Sequence, residues 1–313
     1  MLTTKIFLAA IAAACVLGAP STASAAPALA IDASTLPPHT RTALRDDIAR
    51  ARAADPASFG AVRDVVVRAR ELDRRARGRK APIALHLAAL GPKALLPLLE
   101  LAAFEAPALA PDGDRAALRR DVVEAIGLLH DARAMPVLTA LLDRDGDLEM
   151  TRTAAEAIGR LESTDAASTL TAALGKATGE RATAIAAGMG ACHRASIAKA
   201  LADRLAARPD EATAKVLARA LGHAGNAWAW KTVAARDEET AARAIAARAL
   251  VAAYVGYRGE AHEAASKALL VVDAPGTPSL LEAARKAAPD DATARALDEL
   301  ADRFTHNPTR VTR

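Results

Sequence analysis

Arg119 to Asp143 reads RRDVVEAIGLLHDARAMPVLTALLD, two apolar stripes separated by a polar turn. Val122, Val123, Ala125 and Ile126 share one face of a helix, because side chains three and four apart lie above one another. Gly127 follows them, and a glycine at that place predicts the helix end, where a left-handed backbone carries no Cβ penalty. Beyond the turn, Ala134, Leu138 and Leu142 recur every fourth residue and predict a second helix.

The same pattern returns along the chain. Gly91, Gly127, Gly159, Gly190 and Gly222 each follow a small and an aliphatic residue, at intervals of 36, 32, 31 and 32 residues. Five and four residues before the last three glycines stand Ala154-Ala155, Ile185-Ala186 and Leu217-Ala218. The second stripe is repeated as Ala166, Leu170, Leu174 and as Ile197, Leu201, Leu205; the fifth copy keeps Ala229 and Val233 before the register fades. Two amphipathic helices of this length cannot bury their apolar faces alone, so each pair must stack on the next.

With these columns the chain resembles the HEAT-repeat family, particularly its short bacterial variant found in the bilin-lyase-type HEAT-like group. The best copy carries Val122, Ala125, Ile126, Gly127, Leu129, Asp131, Pro136, Leu138, Leu141, Leu142 and Asp143. The resemblance covers roughly residues 82 to 272. It implies an all-α fold, an α-solenoid wound as a right-handed superhelix of HEAT-like helix pairs, about six to eight of them, and a protein-binding role. HEAT repeats commonly hold an Arg at a fixed place in the first helix, laddered with Asp. Here Arg119, Arg120, Arg152, Arg181 and Lys215 stand seven to nine residues before their glycines, so a regular ladder is not expected. Tyr254, Gly259, Ala264, Ala268, Leu269 and Pro275 resemble a tetratricopeptide repeat, but an aromatic content of 3% argues against that class for the whole chain.

Composition supports helices throughout. Apolar residues make up 52% of the 313 residues with few aromatics, so Ala, Leu and Val must build the interior. Alanine has the best helix propensity and permits close helix approach.

Both ends are expected to lie outside the stack. Residues 1–25 read as a secretory signal peptide: Lys5, an apolar run from Ile6 to Gly18, Pro20, and the small-residue site Ala23-Ser24-Ala25. The apolar run is too short to span a bilayer, and the mature chain is expected to carry no transmembrane span. Export to the periplasm or the outside follows. Lipid anchoring through Cys15 is the lesser alternative, since Ala12 stands where lipoprotein signals place Leu. Residues 26–39 read as an Ala/Pro-rich linker, 40–305 as the solenoid and 306–313 as a disordered tail.

Candidate chemistry is sparse. Without Lys5 the chain has 40 basic and 37 acidic residues, too mild a balance to imply nucleic acid. Arg68, Arg70, Arg74, Arg75, Arg77, Arg79 and Lys80 form a basic run that reads first as a solvated helix end and second as a docking site for an anionic partner such as an acidic protein, a lipid headgroup or a phosphorylated glycan. Trp228 and Trp230 lie about 200° apart on a helix. Trp230 shares its column with Met135, Ala167 and Ala198 and is expected to be buried. Trp228 shares its column with Arg133, Asp165 and Ser196, and is a candidate interface residue. Cys192, the cysteine left after cleavage, shares its column with Leu129, Leu161 and Ala224 and is expected to fill the core.

His130, His193 and His223 follow repeat glycines as turn residues, and His262-Glu263 is a single His-Glu pair where iron-binding HEAT hydroxylases carry several. No metal, cofactor or catalytic constellation is read from the sequence. The expectation is an exported, monomeric, non-enzymatic scaffold for an unidentified protein. An enzyme or cofactor-handling protein on the same scaffold, or a tethered lipoprotein, are the alternatives.

Overall fold

The computed structural model describes residues 28–69, 71–72, 83–104, 112–144, 146–308 and 310–311. The segment read as a signal peptide and most of the basic run lie outside the described residues. Fifteen α-helices are described, with no strand among those residues: α1 (Pro38–Ala54), α2 (Pro56–Val67), α3 (Ile83–Ala88), α4 (Leu95–Ala103), α5 (Asp112–Leu128), α6 (Met135–Asp143), α7 (Leu148–Arg160), α8 (Thr164–Lys176), α9 (Gly179–Met189), α10 (Ala195–Ala206), α11 (Glu211–Ala224), α12 (Glu239–Gly256), α13 (Gly259–Val272), α14 (Thr277–Lys286) and α15 (Asp291–Thr305).

Packing sorts them into two layers. Helices α3, α5, α7, α9, α11 and α13 stack successively in one layer, and α4, α6, α8, α10, α12 and α14 in the other. The chain is an all-α solenoid. Helices α1 and α2 cover its start, against α3 and α4, and α15 closes its end against α14.

The apolar columns face inward between the layers. Val122, Val123, Ala125 and Ile126 are fully buried, as are Leu138, Leu170 and Leu201 of the second stripe. Each such leucine contributes about 1.5–3 kcal/mol by burial between the layers. Helix starts carry side-chain caps: Asp147 accepts from Met150 N at 3.0 Å, Ser163 from Ala166 N at 3.0 Å and Asp210 from Thr213 N at 2.9 Å.

The repeat glycines act differently from the expectation. Only Gly91 has a positive φ, 78°; Gly127, Gly159 and Gly222 lie inside helices, and Gly190 caps one with helical angles. Their missing side chains let successive first-layer helices touch, since a Cβ on Gly127 would stand 2.6 Å from Ala157 Cα. The left-handed residues come three positions later in two copies, at His130 (φ 53°) and Glu162 (φ 52°). A close approach selects glycine at positions 127, 190 and 222, whereas Gly91, with nothing within 4 Å of a Cβ, serves the turn that the sequence suggests.

Cations satisfy helix ends in place of a regular ladder. Arg181 donates to the carbonyls of Leu142 and Arg144, Arg204 to those of Leu174 and Ala177, and Arg243 to those of Val272 and Asp273. Arg119 pairs with Asp147 and Lys215 with Glu260, so the basic residues of the first helices each find a different acceptor.

Three further departures concern the segments between and beyond the repeats. Residues 28–36, read as linker, form a strap on the stack: Leu29 N and Ala30 N donate to Leu101 O and Ala102 O at 2.9 Å, and Leu29, Ala30, Ile31 and Leu36 are buried. The apolar content that the Ala/Pro pattern disguised drives this docking. The tail is also tied down: buried Asn307 donates to Leu270 O at 2.9 Å, and Val311 N to Asp273 Oδ2 at 3.0 Å. Where the fifth register fades, residues 225–238 form two short 3-10 turns. Glu238 from this segment accepts from Ala195 N (2.8 Å) and Arg194 Nη1 (2.7 Å), capping α10.

Candidate protein-binding surface

Helix α9 determines the shape of the first layer's outer face. Its outward positions carry Thr183, Ala184 and Ala187, and a Cβ on its Gly188 would stand 2.5 Å from Arg152 O, so α9 sits low and close against α7. Longer side chains on the neighbours rise on either side: Arg152, Glu156 and Arg160 from α7, and Val216, Arg219 and His223 from α11. The result is a trough with a floor of small residues.

The trough consists of two grooves that share Arg152, Ala187 and Val216. One, of about 840 Å³, runs over the N-terminal half of α9 toward Leu174, Arg204 and Pro209. The other, of about 610 Å³, runs over its C-terminal end, past Gly190, to Asn226 and Ala229. A third groove of about 300 Å³, between α11 and α13, shares Arg219, His223 and Asn226 with the second. The face from α7 to α13 is therefore one continuous concave surface.

Trp228 stands on the turn between Asn226 and Ala229 and is 54% exposed. Its N–H donates to Asn226 Oδ1 at 2.9 Å, and Lys231 Nζ lies 4.2 Å from its ring centroid. Ala227 N donates to Val271 O, placing this turn beside Val271, which is itself 40% exposed. Trp230 behaves as its column predicts: it is fully buried, donates from Nε1 to Ala224 O at 2.9 Å and meets His193 edge to face.

The turn histidines form part of the stack. His130 Nδ1 bonds Arg160 O, and His193 Nδ1 bonds Glu162 Oε1 at 2.9 Å. His130, Glu162 and His193 occupy the same position, three residues after their glycines, and so join one repeat to the next. Cys192 is fully buried; burial, followed by the charge of Glu162, pushes its thiol up to about 12, against a smaller opposing effect of Arg194. It is a core filler, not a nucleophile.

No group of three or more His, Cys, Asp or Glu side chains among the described residues is arranged to hold a metal ion. Of the basic run, Arg68 is exposed at the end of α2, where its Nε donates to Asp64 O at 3.2 Å. Arg70, Arg74, Arg75, Arg77, Arg79 and Lys80 lie outside the described residues.

Residues 106–189 match the family model described as HEAT repeats. That stretch of the chain carries HEAT repeats. The match spans α5 to α9, including the first part of the trough, and the stacking of α10 to α14 continues the same alternation of layers beyond it. None of the curated proteins matches the chain. HEAT repeats make a scaffold of the kind used in protein interaction, and no described helix is long and apolar enough to cross a membrane.

The trough was not anticipated from the sequence, although its signal is present there. Seven and three residues before their glycines the first helices carry Arg120 and Glu124, Arg152 and Glu156, and Lys215 and Arg219. The copy ending at Gly190 carries Thr183 and Ala187 there instead. A dip in side-chain size at outward columns marks a groove.

Proposed function

We propose that this protein is an exported, non-enzymatic HEAT-repeat scaffold that binds a segment of another protein along the face formed by α7, α9, α11 and α13. The observation that carries this reading is the continuity of the grooves over α9 with the turn bearing Trp228. Recessed small residues supply apolar contact, while the raised Arg, Glu and His side chains supply direction and register. An exposed Trp beside a concave surface is the residue type most often dominant in binding energy.

The export component rests on the sequence pattern of residues 1–25, and binding would involve no bond chemistry. Crosslinked affinity capture from envelope and culture fractions tests the reading, comparing wild type with Trp228→Ala. One protein enriched by wild type and lost from the variant supports it. Capture of nothing by either form, or a stoichiometric metal or chromophore on the purified protein, refutes it.

A further inference from the structure

The carboxylates lining the groove over the C-terminal end of α9 and the groove beside it are each held by a neighbouring cation or histidine. Glu156 accepts from Arg152 at 3.2 Å and from Arg160 at 2.6 Å, and Glu162 is held by His193 at 2.9 Å. Across the adjoining groove Glu260 is held by Lys215 at 2.9 Å and Glu263 by Lys267 at 2.6 Å. Arg219 lines both grooves, is exposed, and among the described residues donates to no acceptor. Arg160, bound to Glu156 through Nη2, lines the same groove and keeps a buried Nη1 without a hydrogen-bond partner, with Glu124 3.7 Å from it.

We propose that the segment received by this groove is an acidic peptide, one of whose carboxylates pairs with Arg219. Glu260 and Glu263 feel the charge of Arg219 but are paired directly by Lys215 and Lys267, so the N–H donors of Arg219 stay open to an incoming carboxylate. A fork of N–H donors matches its geometry. An incoming basic peptide would have to break an existing pair first. The groove, about 610 Å³ and continuous with a larger one, is far roomier than a small anion needs, and its floor at Ala187, Gly190 and Ala191 is apolar. Both features fit a chain with side chains rather than a free ion. This inference rests on the scaffold reading and adds the chemistry of the partner.

The test is binding of a fluorescein-labelled oligoglutamate peptide to the purified protein, followed by anisotropy at several salt concentrations. Arg219→Glu is compared with Arg248→Glu, an exposed arginine on α12 in the other layer. The expected result is binding that weakens with salt, lost by about tenfold or more in Arg219→Glu and unchanged within about twofold in Arg248→Glu. Absence of binding to wild type, or equal loss in both variants, overturns the proposal. Full competition by inorganic phosphate also overturns it, because the groove would then be a small-anion site. If oligoglutamate fails while Trp228-dependent capture of a protein persists, the acidic partner is wrong and the scaffold stands.

Discussion

Replacing Gly127 by Ala tests whether close helix approach explains the repeat glycine. The added Cβ would lie 2.6 Å from Ala157 Cα and 2.8 Å from Ala157 Cβ, where carbon contacts relax only at about 3.5–4.0 Å. Helices α5 and α7 must therefore part by about 1 Å, and overpacking of that size costs about 1–3 kcal/mol. The substitution also gains up to about 1 kcal/mol of helix propensity, which would obscure the effect if measured alone. Gly60→Ala supplies the reference: Gly60 lies inside α2, and a Cβ there would meet nothing within 4 Å, so the substitution gains propensity without a clash. Urea unfolding followed by helical circular dichroism is expected to place Gly127→Ala about 1–3 kcal/mol below Gly60→Ala. Because contacts in a stack run between neighbours, hydrogen exchange is expected to quicken in α5 and α7 before α13. Equal stabilisation by both substitutions would refute the packing argument.

Other expectations follow from single features. Ile31→Ala is expected to cost about 2–5 kcal/mol in the same unfolding assay, because Ile31 is 2% exposed in the docked strap; a free linker would lose nothing. The Cys192 thiol ionises near its ordinary 9.0 when unfolded but near 12 when folded, so the unfolded state holds fewer protons between those values. Stability present below pH 9 is expected to fall as pH rises toward 12, and Cys192→Ala is expected to flatten that slope in pH-dependent unfolding. The Asp210 carboxyl is held below its usual range by the Thr213 N–H, so its capping contribution is expected to be lost as pH falls through the lowered value. Asp210→Asn is expected to reduce that acid dependence. If residues 1–25 direct export, mass spectrometry of the protein recovered from envelope and culture fractions is expected to find a free Ala26 at its amino terminus; a lipid on Cys15 would contradict soluble export.

The core was legible because burial repeats. Val122, Ile126, Leu138 and their counterparts in the copies ending at Gly159, Gly190 and Gly222 keep their columns and face inward, whereas Leu90 of the first copy is exposed. Cys192 and Trp230 could be placed by the same comparison, since the other members of their columns are apolar and pack against the core, although Leu129, Leu161 and Met135 are only partly buried. The strap was not legible. Leu29, Ala30 and Ile31 carry no periodicity, and their docking depends on main-chain carbonyls of Leu101 and Ala102 far along the chain. Gly127 was legible as a marker but not in its role, because a glycine needed for a turn and one needed for a close approach read alike. Trp228 was recognised by its polar column, whereas the trough beside it required noticing what Thr183 and Ala187 lack.

The most direct test of a partner-binding face is site-specific photocrosslinking in cells that express the protein. A photoreactive residue at Ala187, on the trough floor where two grooves meet, is compared with one at Ala172, exposed on α8 in the opposite layer. The account predicts one discrete protein adduct at Ala187 and none at Ala172. Adducts at Ala172 alone, or none at either position, would contradict it.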